Sequence, residues 1–321
     1  GLVGVGELGG AVLSEDAGRT WTLVPVAVGT SSGGVVEGDG VLVTVGGYHS
    51  IQTSDDGGRT WTERTIDLAN PFDAHMDVAF GDGSFVTVGT MGEILTSTDR
   101  GRTWTERSSG SDAQLNGVVF AGSRFVAVGE GGTVLTSDDG GIGWQERDSK
   151  TFSELRAVAQ GNGAIVAVGT EGTAVVSVDG GTTWAARVAG IDELRGVAYG
   201  DGVFVAVGLP GYVFTATDPL RSWSWAPSGC AVWLYAITHA DGRFTAVGAH
   251  GAILQSGSPE VCGGDCNDDG GVTVDELITL VNIALGVVSP ATCTAGDTNG
   301  DGTVSVDEIV AAVTRALQGC R

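Results

Sequence analysis

The sequence predicts an all-β propeller of seven blades followed by a small, separate helical domain, and three observations lead to this prediction. A box that begins at a Ser and ends at a Trp, first seen at Ser14–Trp21, recurs with its Trp residues 40, 43, 40, 40 and 39 positions apart. Short apolar runs separated by Gly-rich turns accompany each box. Both patterns stop near Pro259, where a different spacing of acidic residues begins. A unit repeated every 40 residues or so must stack on its copies to bury a core.

Each repeat is predicted to form one four-stranded blade. Runs of four to six residues rich in Val, Phe and Thr and bounded by Gly or Asp are typical of strands, and tight turns between them make neighbouring strands antiparallel. Four such strands form a propeller blade. The clearest unit has its runs at Leu115–Phe120, Arg124–Val128, Thr133–Thr136 and Trp144–Arg147.

Counting the units gives seven blades, of which the first and the last are incomplete. The first unit, Gly1–Pro25, begins inside its second strand, and the last ends after its third strand near Ser256. A propeller of six blades is the alternative, and it is ranked second because it would leave two strands of the final unit without a place. The chain does not begin with Met, so we expect a processed or truncated N-terminus that has lost a signal peptide and one inner strand.

The composition fits a packed protein and excludes two classes of partner. Although 55 of the 321 residues are Gly, 42% are hydrophobic, so the Gly residues serve turns in a folded all-β domain. The formal net charge of −23 disfavours nucleic acid, because phosphate contacts need clustered Lys and Arg. It also disfavours anionic lipid, and no apolar stretch is long enough for membrane insertion.

The box itself is predicted to be a structural turn. Its Asp accepts backbone N–H groups, its Gly permits a positive φ, and its Trp buries a large ring against the hairpin. The pattern Ser/Thr-x-Asp-x-Gly-x-Thr-Trp resembles the Asp-box, or BNR repeat, of sialidases, of several glycanases and of the photosystem II assembly and stability factor-like propellers. The unit around Gly117–Gly129 is most similar to the last group. The resemblance covers nearly all of residues 1–258 and implies the fold more strongly than it implies a function.

A ligand of the propeller should bind where the units differ. At one equivalent position of the innermost strand, the units carry Gly33, Met76, Asn116, Arg156, Arg195 and Tyr235. The second turns vary likewise, with Tyr48-His49, Met91, Glu130, Glu171, Pro210 and His250. We predict that Arg156, Arg195, Trp233 and Tyr235 form a polar and aromatic pocket for a protein or a glycan. The alternative is that they are solvated rim residues.

An enzymatic alternative is a propeller glycoside hydrolase of sialidase or glycanase type. Such an enzyme needs two carboxylates across a cleft. Glu130 and Glu171, on adjacent second turns, are the candidate catalytic pair. The Arg-Ile-Pro motif of sialidases is missing, and Arg19, Arg59 and Arg102 lie inside boxes, on the opposite face. The interpretation as a non-enzymatic binding protein is therefore preferred.

The domain predicted for residues 259–321 contains two calcium loops of twelve residues. Oxygen side chains at positions 1, 3, 5, 9 and 12, together with Gly at position 6, provide the six to eight oxygen ligands that Ca²⁺ requires. Positions 7 give backbone carbonyls, positions 9 act through water, and the final Glu residues bind with both oxygens. The predicted ligands of the two ions are Asp265, Asn267, Asp269, Gly271, Thr273 and Glu276, and Asp297, Asn299, Asp301, Thr303, Ser305 and Glu308.

Only a helix leaving each loop is predicted, at Val274–Leu285 and at Val306–Leu317. The segments before the loops contain the turn formers Pro259 and Pro290 and lack a helical period. A tandem of loops with exit helices resembles the type I dockerin module of bacterial secreted proteins, over residues 262–320. This resemblance implies a small all-α domain that docks to a cohesin-like or cell-surface protein when Ca²⁺ is bound. The chain departs from the family by ending each loop in Glu rather than Asp and by carrying extra Cys residues.

The Cys residues predict an oxidising compartment. Cys262, Cys266, Cys293 and Cys320 fall within about sixty residues, a disulfide density typical of small secreted domains. The four residues allow three pairings. Zinc is a competing use, but paired C-x-x-C knuckles are lacking. We therefore expect an extracellular, cell-surface or periplasmic bacterial protein, with Cys230 as a buried thiol between blades six and seven.

Overall fold

The protein consists of two compact units, Gly1–Gln255 and Ser256–Arg321, and the boundary lies three residues before the predicted one. The computed structural model describes residues 1–6, 10–18, 20–25, 32–48, 50–64, 66, 74–190, 192–226, 228, 232–256, 264, 266, 272–297 and 302–318. His49, Cys230, Cys262 and Cys320 lie outside the described residues.

The first unit is a propeller of seven antiparallel sheets, which confirms the predicted fold and blade number. Among the described residues, blade 1 contains β1 (Leu2–Val5), β2 (Gly10–Ser14) and β3 (Thr22–Pro25). Blade 2 contains β4 (Ser32–Gly38), β5 (Val41–Gly46), β6 (Ile51–Ser54) and β7 (Thr62–Arg64). Blade 3 contains β8 (His75–Gly81), β9 (Ser84–Gly89), β10 (Glu93–Ser97) and β11 (Thr105–Ser108).

The other four blades follow the same order. Blade 4 contains β12 (Leu115–Ala121), β13 (Arg124–Gly129), β14 (Val134–Ser137) and β15 (Gln145–Arg147). Blade 5 contains β16 (Leu155–Gly161), β17 (Ala164–Gly169), β18 (Thr173–Ser177) and β19 (Ala185–Val188). Blade 6 contains β20 (Leu194–Gly200), β21 (Val203–Gly208), β22 (Val213–Ala216) and β23 (Ser224–Ala226). Blade 7 contains β24 (Leu234–Ala240), β25 (Arg243–Gly248) and β26 (Ile253–Gln255).

The core of the propeller lies between neighbouring blades. One cluster joins Val126 of blade 4 to Leu155 and Val175 of blade 5, all of which are buried. The inner strands pack around the centre in chain order, and small side chains allow their close approach. A Cβ atom added to Gly196, for example, would lie 3.0 Å from the Cα atom of Ala236 on the next blade. Burial of apolar surface between the blades stabilises the ring.

The seventh blade contacts the first, which closes the ring. Gln255 at the end of β26 donates a hydrogen bond of 3.0 Å from Nε2 to the carbonyl oxygen of Ala17 in the first box. The same amide group donates to Oγ1 of Thr245 at 3.0 Å. A side chain on Gly18 would collide with Gln255, so this box Gly makes room for the contact.

The strand order places two sets of loops on opposite faces of the propeller. The boxes and the first turns lie on one face, here called the box face. The second turns and the linkers between blades lie on the other, here called the linker face. Within the described ranges, four second turns are short 3-10 segments, at Thr90–Gly92, Glu130–Gly132, Thr170–Gly172 and Ala249–Gly251. Each holds its middle residue at positive φ, for example Glu171 at 58°. Backbone hydrogen bonds fix these turns to the linkers, as from Glu130 N–H to the Gln114 oxygen at 2.9 Å.

The second unit contains α1 (Val274–Ala284) and α2 (Val306–Gln318), so both predicted helices are confirmed. Two 3-10 segments, Pro290–Thr292 and Thr294–Gly296, precede the second loop. Leu280, Ile283 and Ala312 form a small core, and a disulfide joins Cys266 to Cys293. Across the described part of the chain, neither helix has the length and apolar character needed to cross a membrane.

Candidate functional site

A β-bulge aims one side chain of each inner strand at the linker-face rim. In β16, Leu155 pairs with Gly169 and Ala157 pairs with Val168, so Arg156 is the extra, bulged residue. The same register shift occurs in four of the other described inner strands, and in β4 the shift lies at the same place but spans Gly33 and Gly34. Bulges commonly re-aim a side chain next to a functional site. The bulged positions comprise the set that was aligned from the sequence, Gly33, Met76, Asn116, Arg156, Arg195 and Tyr235, with Gly34 added in β4.

The structure brings the two predicted arginines together through one carboxylate. Oε1 of Glu193 lies 3.0 Å from Nε of Arg156 and 3.0 Å from NH2 of Arg195. Arg156 also contacts Oε1 of Glu154 through NH1, at 2.9 Å. Each guanidinium is about a third exposed or less, so these charges are partly shielded from water. The arginines are thus pre-oriented by acidic neighbours.

Polar and aromatic contacts extend this cluster to both sides. Asn116 of blade 4 donates from Nδ2 to Oε1 of Glu154 at 3.0 Å. On the other side, the Arg195 guanidinium lies 5.5 Å from the ring centroid of Tyr235 on blade 7, within the range of a cation–π contact. We call the set Asn116, Glu154, Arg156, Glu193, Arg195 and Tyr235 the rim ladder. It runs across four consecutive blades.

The aromatic end of the rim ladder is open to solvent. Trp233, which directly precedes β24, is 50% exposed, and Tyr235 is 39% exposed. Large aromatic side chains that remain this accessible are common at binding sites, since they offer much apolar area at a low entropy cost. The four predicted ligand residues lie on three consecutive blades, Arg156 on blade 5, Arg195 on blade 6, and Trp233 and Tyr235 at blade 7. Their role in binding a ligand stays a prediction.

The two weak catalytic candidates lie on the same face. Glu130 and Glu171 occupy the second turns of blades 4 and 5, and both are exposed. Oε2 of Glu171 accepts a hydrogen bond of 3.3 Å from Oγ of Ser153. Glycosidase acids generally need a shielded environment. The described geometry gives neither residue such an environment.

Asp77 is a polar residue of the inner ring that the sequence analysis did not single out. The equivalent positions of the six inner strands carry only small residues otherwise, Gly34, Gly117, Ala157, Gly196 and Ala236. Oδ2 of Asp77 accepts from Val118 N–H at 2.9 Å, and Oδ1 accepts from Val78 N–H at 2.9 Å. The residue as a whole keeps some contact with solvent, but protein surrounds its carboxyl group. Burial raises the pKa of Asp77 to about 6, although the two hydrogen bonds lower it. Comparing the repeats at this position would have found it.

The boxes are structural turns, as predicted. In blade 5, Oδ1 of Asp179 accepts from Thr183 N–H at 2.9 Å, and Oδ2 accepts from its hydroxyl group at 2.6 Å. These bonds, led by the one from the Thr183 side chain, lower the pKa of Asp179 to about 2. Nε1 of Trp184 donates to the carbonyl oxygen of Gly181 at 3.1 Å, which anchors the ring. Both Asp bonds recur at Asp16, Asp56 and Asp99. At Asp139 only the backbone bond recurs, because Gly143 replaces the Thr.

In the part of the second unit that the structure describes, two carboxylates at matching positions are buried. Glu276 accepts hydrogen bonds from the backbone N–H and the hydroxyl group of Thr273, at 2.7 and 2.9 Å. Glu308 accepts the equivalent bonds from Ser305, at 2.8 and 2.9 Å. In the second loop, Oδ2 of Asp297 accepts from Gly302 N–H at 2.7 Å. The available donors are oxygen atoms, which suits a hard cation such as Ca²⁺.

The described residues do not by themselves assemble a metal site. Within them, no three His, Cys, Asp or Glu side chains come together in a metal-binding group. Half of the predicted ligands lie outside the described residues, namely Asp265, Asn267, Asp269, Gly271, Asn299 and Asp301. The calcium assignment therefore stays a prediction.

Known proteins resemble the propeller in sequence and in fold. The family model described as photosynthesis system II assembly factor YCF48 matches residues 72–231. A structure of YCF48 bound to D1 peptide is 18% identical, with a TM-score of 0.64 and coverage of 79% of this chain and 86% of that one. YCF48 from Cyanidioschyzon merolae is 20% identical, with a TM-score of 0.63 and coverage of 79% and 90%. The WD40 propeller domain of Doa1 is 11% identical, with a TM-score of 0.64 and coverage of 80% and 88%.

No curated protein matches the sequence. The solved structures are distant in sequence, so their likeness bears on the fold alone, whereas the family model reaches from blade 3 to the linker before blade 7. Over residues 72–231, the propeller is therefore similar to the YCF48-type propellers built from BNR repeats.

Proposed function

We propose that the chain is a non-enzymatic binding protein whose linker face recognises an extended segment of another protein. The rim ladder is the observation that carries this proposal. It presents oriented hydrogen-bond donors and acceptors beside the exposed rings of Trp233 and Tyr235. A similar propeller, YCF48, has been observed with a D1 peptide bound.

A peptide suits the chemistry of the ladder. Its backbone offers N–H and C=O groups at regular intervals, and Arg195 and Glu193 present matching partners within a small area. An apolar or aromatic peptide side chain can pack on Trp233, which is half exposed. Sugars also stack on aromatic rings, so a glycan ligand is the rival outcome of the test.

The test selects peptides from a random phage-displayed library on the full chain, and then measures the affinity of synthetic copies by fluorescence anisotropy. We expect Trp233→Ala and Tyr235→Ala each to weaken binding by about tenfold or more, since buried aromatic anchors carry much of the energy of an interface. Arg100→Ala on the box face, where Arg100 pairs with Asp55, is the matched control and should bind normally. Equal affinities for all three variants, or no peptide recovered, would exclude a peptide site at the rim.

The rival functions are tested beside it. Binding on a glycan array that Trp233→Ala abolishes, without any peptide binding, would make the rim a carbohydrate site. Release of reducing sugar that disappears in Glu130→Gln or Glu171→Gln would identify a glycoside hydrolase instead. Neither Glu side chain is shielded in the structure, so we expect no release.

For the second unit, we propose that it binds two Ca²⁺ ions and, in that form, docks to a cohesin-like or cell-surface protein outside the cell. The buried positions of Glu276 and Glu308 support the proposal, because a buried carboxylate is stabilised by a cation. The Cys266–Cys293 disulfide supports an oxidising location.

Calorimetric titration of the chelated full chain with Ca²⁺ tests this proposal. We expect two ions per chain in the wild type and one in either Glu276→Gln or Glu308→Gln. Asp275→Asn and Asp307→Asn change the same charge at the exposed neighbouring residue, and should keep two sites. A wild type that binds no Ca²⁺ would contradict the assignment, as would glutamine variants that bind normally.

A further inference from the structure

Phe152 projects from the linker face with 94% of its surface exposed. It lies in the linker between blades 4 and 5, residues 148–154. Among the large hydrophobic residues that the structure describes, it is the most exposed. Burial of a Phe ring is worth about 2 kcal/mol, so a partner that covers Phe152 gains binding energy from it.

The backbone that carries Phe152 is fixed by its neighbours. Oγ of Ser149 donates to the carbonyl oxygen of Thr151 at 3.2 Å, and Ser153 N–H donates to Oγ1 of Thr151 at 3.1 Å. Gly132 in the adjacent second turn allows close packing, because a Cβ atom there would collide with the Thr151 oxygen. A side chain on such a fixed loop binds a partner without a large loss of loop entropy.

The linker between blades 3 and 4 shows that the fold does not require Phe at this position. There, Oγ of Ser109 donates to the oxygen of Ser111 at 2.9 Å, and Ala113 N–H donates to Oγ of Ser111 at 3.2 Å. Gly92 takes the place of Gly132 in the same close contact. The residue equivalent to Phe152 in this linker is Asp112, which is exposed. The same loop therefore forms with a charged residue, and Phe152 is not there for stability.

Three acidic residues lie on the turns and linkers next to the Phe152 loop. Glu171 contacts the adjacent Ser153 at 3.3 Å, and Glu130 belongs to the second turn that packs on the Phe152 loop. Asp192 follows in the next linker, where its carbonyl oxygen accepts from Gly172 N–H at 2.6 Å. All three acidic side chains are exposed. The cations near this loop are paired with carboxylates, Lys150 with Asp148 and Arg156 with Glu154 and Glu193, so the net charge of this part of the surface is negative.

We infer that Phe152, Glu130, Glu171 and Asp192, together named the Phe152 surface, dock a basic segment of a partner protein that carries an apolar side chain next to Lys or Arg. The Phe ring packs on the apolar group, and the carboxylates attract and orient the cations. The inference rests on the proposed function, since it specifies the chemistry of the segment bound at the same face.

The peptides selected on the full chain serve as probes. We expect them to be enriched in Lys or Arg beside aliphatic or aromatic residues, and their dissociation constants to rise at least tenfold between 50 and 500 mM NaCl. Phe152→Asp introduces the residue that the equivalent linker between blades 3 and 4 carries at Asp112. This change should weaken binding about tenfold or more without lowering the melting temperature. Glu171→Gln should lower the association rate two- to fivefold at low salt. The control is Ile142→Arg, which places on the box face the residue found at 59 and 102 in two other boxes.

The outcomes separate this inference from the proposed function. If the selected peptides are neutral or acidic, or if Phe152→Asp binds them like the wild type, the Phe152 surface is not the docking site. Loss of binding in Trp233→Ala would still support the rim in that case. If no peptide binds the chain at all, both proposals fail.

Discussion

Oδ2 of Asp77 accepts a hydrogen bond of 2.9 Å from the backbone N–H of Val118, and this bond joins the inner strands of blades 3 and 4. The innermost strand of a blade has no further strand of that blade on the side of the central channel. The backbone N–H groups that point to this side therefore need another partner. Asp77 supplies one where the other blades have Gly or Ala. Gly34 makes this possible, because a Cβ atom there would lie 2.5 Å from Oδ1 of Asp77.

The raised pKa of Asp77 predicts a dependence of stability on pH. Its pKa of about 6 in the folded chain exceeds the ordinary value of 3.8, so the folded state holds the proton more tightly than the unfolded state. The free energy of unfolding should therefore fall by about 2–3 kcal/mol as the pH rises from 4 to 6 or so. Asp77→Asn should remove most of this slope, whereas Asp82→Asn, on an exposed first turn, should keep it.

Urea unfolding followed by Trp fluorescence measures this effect in the propeller, because all eight Trp residues precede residue 234. An unchanged slope in Asp77→Asn would show that the Asp77 carboxyl group is not the titrating group.

The box carboxylates predict the opposite response at lower pH. Asp179 has a pKa lowered to about 2, chiefly by the hydrogen bond from the Thr183 hydroxyl group. Its contribution is complete above the ordinary pKa of 3.8 and is lost as the pH falls through 2. At pH 7, Asp179→Ala should cost about 1 kcal/mol, similar to the loss of a helix N-cap.

The difference in unfolding free energy between wild type and Asp179→Ala should shrink as the pH falls from 4 to 2. Val178→Ala changes the exposed neighbour and serves as the control. A difference that stays constant over this range would contradict a charge-dependent turn.

The closure of the ring depends on Gln255. Gln255→Ala removes the hydrogen bonds to the Ala17 oxygen and to Thr245, and we expect a loss of about 1–2 kcal/mol. Because the contact joins the first and seventh blades, amide hydrogen exchange should accelerate most in β1, β2 and β3. Gln160→Ala, at an exposed site on blade 5, is the control. Uniform acceleration over all blades would show that Gln255 does not act at the closure.

The disulfide of the second unit should account for much of its stability. Cys266 and Cys293 are 27 positions apart, and closing a loop of that length is worth about 3–4 kcal/mol in the chain-entropy model. Replacing both by Ser should lower the melting temperature of the helical signal at 222 nm. Trp fluorescence reports on the propeller in the same sample. A loss seen in fluorescence and not in helicity would contradict the expectation.

Much of the fold could be predicted because its signals are local. The box at Ser177–Trp184 contains its own donors, acceptors and left-handed Gly, so a short segment determines its turn without help from distant residues. Repetition of that segment then implies stacking. The exit helix at Val274 was also predictable, because its apolar period and its Thr273–Glu276 capping box lie within a few residues.

The site was only partly predictable for the opposite reason. The sequence aligned Arg156, Arg195 and Tyr235 at one position of the repeat, but it could not show that Glu193 holds both arginines or that Arg195 lies over Tyr235. Asp77 was missed because its partner Val118 is 41 positions away on another blade. These contacts depend on the angle between neighbouring blades, which no local pattern encodes.

By itself, then, the sequence determined the repeating unit, the number of blades and the positions at which the units differ, since each follows from hydrogen bonds and apolar periods within about 40 residues. The tertiary structure decided which of those variable residues meet. It paired Arg156 and Arg195 of the rim ladder with Glu193. It also left Phe152 exposed to solvent, on a linker whose equivalent between blades 3 and 4 carries Asp112. Both are consequences of packing between blades, where residues distant in the chain come within bonding distance.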